Sequence, residues 1–278
     1  MSEVTPRPVQ VTDLARWKRE GRRFAMLTAY DYTTALLLDE AEIPVLLVGD
    51  SMGGTMLGYQ LRDGGPDTLP VTMDEMISHA AAVARGTRRA LVVGDLPFLS
   101  YHLGLDQATN AAGRLLKEAR VQAVKLEGGG AMLEVVRHLV ERGIPVMGHL
   151  GLTPQRVHAM GGLRRVQGRG QDAASRLRSD LQGLQEAGAF AVVLEGIPSA
   201  LGKELTDSAE IPTIGIGAGP DCDGQVLVVH DMLGLTTGPT PKFVRRFAEL
   251  GAATVTAAVE FRRAVEDGTY PDSDHSYA

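Results

Sequence analysis

The sequence predicts an α/β protein whose eight parallel strands close into a (β/α)8 TIM barrel, with a short helix at the N-terminal end. Eight short runs rich in Val, Ile and Leu alternate with helical patterns along the 278 residues. Runs that are apolar at nearly every position suit strands covered on both faces. Polar residues then stand at the C-terminal ends of several different strands, where barrels gather their chemistry. The competing open, doubly wound sheet finds less support, because no G-x-G-x-x-G opens a helix after the first strand.

Residues 1–10 are polar and proline-bearing and read as a loose arm. Val11 to Arg22 carries Leu14 and Trp17 on one side and charges on the other, with Thr12 as its expected N-cap. The alternation then begins. Strands are expected at Phe24–Thr28, Ile43–Val48, Ala90–Gly94, Ala123–Leu126, Ile144–Gly148, Phe190–Leu194, Pro212–Ile216 and Gln225–Val229. Between them lie helical patterns at Thr33–Ala41, Asp74–Gly86, Asp106–Ala119, Met132–Arg142, Asp172–Ala187 and Ser199–Ser208. Gly143 and Gly188 are placed to close two of these helices. A long helix is expected over Lys242–Glu266, and Gly268–Ala278 reads as a flexible polar tail. No composition break divides the chain, so one barrel domain is expected over residues 1–278.

Composition narrows the function classes. Hydrophobic residues make up 44% and charged residues 22%, enough to bury a full core. A net charge of −6 argues against nucleic acid as a partner. The local cluster Arg164, Arg165 and Arg169 reads as a solvated loop. The single cysteine, Cys222, cannot form an internal disulfide and excludes a multi-cysteine zinc site. No apolar run approaches the roughly 20 residues that span a bilayer, and Met1–Gln10 has no signal-peptide core. A soluble cytoplasmic protein with no membrane partner is expected.

The stretch from Val45 to Ser51 is the clearest functional signal: an apolar strand ending in Asp50 and Ser51. The next four strands end at Asp95, at Lys125 and Glu127, at His149 and at Glu195. Each residue alone has a plain reading, since an acid after a strand often only caps the next helix. Five consecutive strand ends carrying ionisable groups above apolar interiors are harder to dismiss. Asp50, Asp95 and Glu127 would repel one another unless a cation or protons intervened. As hard oxygen donors without cysteine they favour magnesium, the plain alternative being a pairing with Lys125. Lys125 shares a face with Glu127 and suits a substrate carboxylate or a developing oxyanion. Glu195, between Val192-Val193-Leu194 and Gly196-Ile197-Pro198, is expected to be partly desolvated and so suited to act as a general base. Residue type alone leaves His149 open between ligand, hydrogen-bond donor and proton shuttle. Two long Gly-rich loops, Gly53–Thr72 and Gly151–Gly170, would overhang this mouth. The glycines at 215–219 read as a crowded turn more readily than as a phosphate site.

Several stretches also resemble the ketopantoate hydroxymethyltransferase family. They include Leu27-Thr-Ala-Tyr-Asp31, Val48-Gly-Asp-Ser51, Asp95-Leu-Pro-Phe98, Val124-Lys-Leu-Glu-Gly128 and Pro145-Val-Met-Gly-His-Leu-Gly-Leu-Thr-Pro-Gln155. The most specific is Ile211-Pro-Thr-Ile-Gly-Ile-Gly-Ala-Gly-Pro-Asp-Cys-Asp-Gly-Gln225. The resemblance implies a barrel of the phosphoenolpyruvate/pyruvate type assembled as a homodecamer. It implies transfer of a hydroxymethyl group from 5,10-methylenetetrahydrofolate to 3-methyl-2-oxobutanoate through a magnesium-stabilised enolate, in pantothenate and coenzyme A synthesis. Carried over by motif, Asp50, Asp95 and Glu127 would hold Mg2+. Asp50, Ser51, Asp95, Lys125 and His149 would meet the oxo acid, and Glu195 would be the base. The segment Gln60–Asp67 is longer than the family's loop, and Leu99 stands where glycine or methionine is expected. Two other readings remain: a magnesium-dependent lyase or mutase of the same superfamily, although no cysteine-bearing lid follows the relevant strand, and a catalytically inert oligomeric scaffold.

Overall fold

Helix α1 (Val11–Arg19) buries Leu14 and Trp17 in one apolar cluster with Phe24, the first residue of β1 (Phe24–Thr28). The computed structural model describes residues 7–62, 65–163, 166–238 and 240–277, and its chain divides after Val228 into two compact units. In the first unit the N-terminal arm is tied down over its described part. Arg7 pairs with Asp13, and the Val9 N–H donates to the Arg89 carbonyl at 2.8 Å. Thr12 is not the N-cap. Gln10 holds that position, because the Asp13 carboxylate accepts its N–H at 2.9 Å, and the helix starts at Val11 as expected but ends at Arg19 rather than Arg22.

The alternation follows in order: α2 (Tyr32–Glu40), β2 (Val45–Val48), α3 (Met52–Thr55), α4 (Met73–Gly86), β3 (Leu91–Asp95) and α5 (Leu105–Arg114). The last of these runs on through a wider π turn, Leu115–Ala119. Next come β4 (Ala123–Lys125), α6 (Met132–Glu141), β5 (Val146–Gly151), a 3-10 turn at Pro154–Arg156, α7 (Val157–Met160), α8 (Gln171–Glu186) and β6 (Ala191–Glu195). Helix α9 (Ser199–Ser208), β7 (Thr213–Ile216) and β8 (Gly224–Leu227) complete the unit. The strands form a closed barrel in sequence order, and every neighbouring pair is parallel, β1 with β8 included. Caps fix several helix starts. The Asp31 carboxylate accepts the Thr34 N–H at 2.8 Å, and Thr72 and Glu75 form a reciprocal capping box before α4. Strand β5 starts two residues later than expected and runs on to Gly151.

The barrel interior is filled by alternate residues, among them Met26, Val45, Leu47, Leu91, Val93, Ala123, Met147, Ala191, Val193, Ile214 and Val226. This is a packed core rather than a pore. At the floor, Lys18 of α1 reaches Asp223, just before β8, at 2.8 Å.

The second unit contains α10 (Val229–Met232) and α11 (Leu250–Glu266). The helix expected from Lys242 begins only at Leu250. The Phe247 and Leu250 N–H groups bond instead to the Met232 and Leu233 carbonyls, at 2.8 and 2.9 Å, so non-local pairing overrides helix propensity before that point. After α11 the expected tail forms a short 3-10 turn, Ser273–His275, and Tyr270 packs edge-on to Phe261 at 5.5 Å. No helix among the described residues is long and apolar enough to cross a membrane.

Candidate active site

Period-two alternation explains which side chains reach the mouth. The interior positions Val93, Ala123, Met147 and Val193 lie two residues below Asp95, Lys125, His149 and Glu195, so these four continue the inward-facing rows, with Glu127 above Lys125. Asp95, Lys125, Glu127 and His149 are all buried, whereas Glu195 keeps some exposure. Asp50 is out of phase with its strand. It reaches the site because the chain turns after Val48, bringing the Asp50 N–H to within 3.1 Å of Asp95 Oδ2. Gly49 makes that turn possible, since a Cβ there would lie 2.7 Å from Ser51 Oγ.

The charges interlock. Lys125 Nζ lies 3.1 Å from Asp95 Oδ1 and 3.3 Å from His149 Nδ1. His149 sits between two carboxylates, with Nδ1 3.4 Å from Glu127 Oε1 and Nε2 3.2 Å from Glu195 Oε2. The contact with Glu195 is an ion-pair contact whose angle is poor for a hydrogen bond. Burial and Lys125 act to lower the His149 pKa, yet the flanking carboxylates carry it up to about 9. Burial, reinforced by the negative charges of Asp95 and Glu127, holds the Asp50 carboxyl well above the ordinary range. Burial also raises Asp95, against the opposing pull of Lys125 and the Asp50 N–H. Lys125 is raised despite its burial, because Asp95, Glu127 and Asp50 surround it with negative charge.

Acids held in this way gain from a cation. Asp95 Oδ1 is buried and makes no well-formed hydrogen bond, although Lys125 stands close to it. Among the described residues no three His, Cys, Asp or Glu groups are placed to hold a metal ion together. Magnesium commonly takes only one or two carboxylates and completes its octahedron with water and substrate. The donor set of Asp50, Asp95 and Glu127 therefore fits a hard divalent ion.

The strand-end reading missed three residues that organise the site. Gln155, buried in the loop after β5, donates from Nε2 to Asp50 Oδ2 at 2.8 Å and to the Leu96 carbonyl at 2.9 Å. Its own N–H donates to Glu127 Oε2 at 3.0 Å. Tyr101, fully buried, donates its hydroxyl to Gln155 Oε1 at 2.7 Å and accepts the Glu127 N–H at 3.2 Å. Tyr30 stands 2.8 Å from Ser51 Oγ, and burial pushes its hydroxyl up to about 12. Tyr30 and Gln155 stand in the stretches Leu27–Asp31 and Pro145–Gln155 singled out in the sequence, but nothing local in either shows that it reaches the mouth.

Loop connections hold the end of β6. Gly151 pairs with Glu195, the Leu152 N–H donates to the Glu195 carbonyl at 2.8 Å, and the Gln167 N–H donates to the Gly196 carbonyl at 2.8 Å. In the loop after β2, Gln60 and Pro66 form an antiparallel bridge; Asp63 and Gly64 lie outside the described residues. So do Arg164 and Arg165, while Arg169 is exposed. Cys222 is buried.

A closed parallel (β/α)8 barrel with three acids, a lysine, a histidine and a flanking glutamate at the strand C-termini defines a class: a barrel enzyme suited to acid–base chemistry on a small anionic substrate. A family model described as ketopantoate hydroxymethyltransferase matches residues 8–273. The chain belongs to the ketopantoate hydroxymethyltransferase family. It is 58% identical to the 3-methyl-2-oxobutanoate hydroxymethyltransferase of Acidothermus cellulolyticus, over 98% of this chain and 97% of that one. It is 52% identical to the protein of that name from Syntrophotalea carbinolica, over 96% and 98% of the two chains. The fold is shared with 2,3-dimethylmalate lyase, a member of the PEP mutase/isocitrate lyase superfamily (TM-score 0.61, 16% identity, 98% and 93% coverage). It is also shared with the phosphoenolpyruvate phosphomutase of Streptomyces platensis subsp. rosaceus (TM-score 0.61, 14% identity, 97% and 92% coverage).

Proposed function

We propose that this chain converts 3-methyl-2-oxobutanoate, 5,10-methylenetetrahydrofolate and water into 2-dehydropantoate and tetrahydrofolate. Family membership over nearly the whole chain supports the reaction class. The observation that carries the reading is the convergence of Asp50, Asp95, Lys125, Glu127, His149 and Glu195 from strands β2–β6, the first five of them within stretches that resemble the family.

Asp50, Asp95 and Glu127 would hold Mg2+. Bound there, the ion would polarise the keto oxygen of the substrate and acidify the neighbouring C–H. Lys125 offers its ammonium to the anionic oxo acid, and the Asp50 N–H and Ser51 hydroxyl line the same rim. Glu195 takes the proton from C3 of the oxo acid. The resulting enolate carbon bonds to the methylene carbon, both bonds from that carbon to the two folate nitrogens break, and water supplies the new hydroxyl; the proton taken from C3 and the proton left by water end on the two nitrogens. His149, beside Glu195, orients that carboxylate.

In this reading the protein works in the cytoplasm as a homo-oligomer, a decamer by family resemblance, in pantothenate synthesis. Purified protein should form 2-dehydropantoate only when magnesium and the folate donor are both present. Full activity after chelation with EDTA would remove the metal from the scheme. Absence of product under complete conditions would remove the reaction itself. Light scattering reads the assembly state.

A further inference from the structure

At the C-terminal end of β5, the loops after β4 and β5 and helix α8 border a half-open cavity of ≈ 370 Å³. Its inner wall includes Leu150 and Gly151, and Gly151 is the residue paired with Glu195 across β5 and β6. Met160 and Leu177 add apolar surface, and Arg156 and Arg176 stand on the rim. A second depression of ≈ 350 Å³ continues outward from Arg176 to Arg169, where α8 begins. These three arginines are exposed, and among the described residues none of their guanidinium groups is in an ion pair or hydrogen bond. Arg178 on the same helix is paired with Glu204, and Arg114 with Glu118 and Asp74. Two acids share the linings. Asp180 is engaged by the Gly130 N–H at 2.9 Å, and Asp172 lies in the first turn of α8.

A cavity of mixed wall that includes Gly151, the strand partner of Glu195, and is rimmed by unpaired guanidiniums suits an aromatic group carrying carboxylates. Planar guanidinium forks match carboxylates in two-point contacts. We infer that this cavity is the subsite for the aminobenzoyl-glutamate tail of the one-carbon donor, with Arg156 and Arg176 receiving its carboxylates and Arg169 meeting further γ-linked glutamates. The assignment rests on the folate-dependent transfer proposed above. In it the pterin lies at the mouth near Glu195, and the tail leaves across Gly151.

The test compares three donors: 5,10-methylenetetrahydropteroate, which lacks glutamate, and the mono- and triglutamyl methylenetetrahydrofolates. The Arg156→Ala/Arg176→Ala double variant should raise KM for both glutamyl donors by about tenfold and leave KM for the pteroate donor within about twofold. Arg169→Ala should raise KM for the triglutamyl donor alone. Unchanged KM for the glutamyl donors, or an equal rise for the pteroate donor, would overturn the assignment. Deuterium exchange at C3 of the oxo acid needs no folate, and its retention shows that the mouth of the variant is intact. If the wild type makes no 2-dehydropantoate, the proposed reaction fails separately. Calorimetry with p-aminobenzoyl-triglutamate then decides the subsite: binding that is lost in the double variant sustains it, and no binding to the wild type removes it.

Discussion

Gln155 Nε2 donates to Asp50 Oδ2 at 2.8 Å, and through its backbone N–H the same residue holds Glu127 Oε2 at 3.0 Å. One loop residue thus fixes two of the three acids assigned to magnesium. Gln155→Ala takes the side-chain donor from Asp50 and the acceptor from Tyr101, while the backbone N–H that holds Glu127 remains. We expect a loss of magnesium affinity or transfer activity of about 10- to 100-fold and of stability by about 1–3 kcal/mol. Magnesium titration and urea unfolding read the two effects separately. An unchanged magnesium affinity would mean that Gln155 has no part in positioning the metal site.

Glu195→Gln keeps the shape of the side chain and removes its basicity. We expect a folded protein whose C3 exchange in deuterated water falls by roughly 10²–10⁴-fold, with magnesium binding little changed because Glu195 is not among the metal-directed acids. Exchange at the wild-type rate would assign the base elsewhere.

His149 carries a pKa pushed up to about 9 from an ordinary 6.5. A group raised on folding stabilises the protein most at pH below 6.5, and that contribution is lost as the pH climbs through about 9. In metal-free protein the stability advantage of the wild type over His149→Asn should therefore shrink across this window. A proton NMR titration of His149 should show a midpoint near 9 that falls in Glu195→Gln, where one stabilising carboxylate is gone. A midpoint at or below 6.5 would show that the flanking acids do not hold the proton.

Gly151 adopts φ +94°, and a Cβ on it would lie 2.2 Å from the Glu195 carbonyl oxygen. Gly151→Ala must therefore displace the end of β6 and with it Glu195, the proposed base. We expect a cost of about 1–3 kcal/mol and a loss of C3 exchange. Gly130→Ala is the control: it also has positive φ (+53°) but nothing within 4 Å of the added carbon. Equal losses in the two variants would mean that backbone strain, and not the clash with Glu195, sets the cost.

The helix expected over Lys242–Glu266 shows one limit of local pattern. Residues 242–249 have ordinary helix-forming composition, yet the N–H of Phe247 bonds a carbonyl fifteen residues earlier, at Met232. Thr12 shows another. It is a sound N-cap by type, but an ion pair between Arg7 and Asp13 and the Gln10 N–H bond place the cap two residues earlier.

By itself the sequence determined the barrel and its inward register, because apolar runs of strand length and side-chain alternation are local properties. That register already carries Asp95, Lys125, Glu127, His149 and Glu195 to one mouth, since each lies in phase with buried positions below it. Tertiary structure alone decided how those groups are held. Asp50 enters through a turn that needs Gly49, Gln155 and Tyr101 tie the acids together from loops far away in sequence, and His149 acquires its charge from carboxylates on two other strands. Hydrogen bonds and ion pairs between distant segments depend on distances of a few ångströms, and only the folded chain sets those.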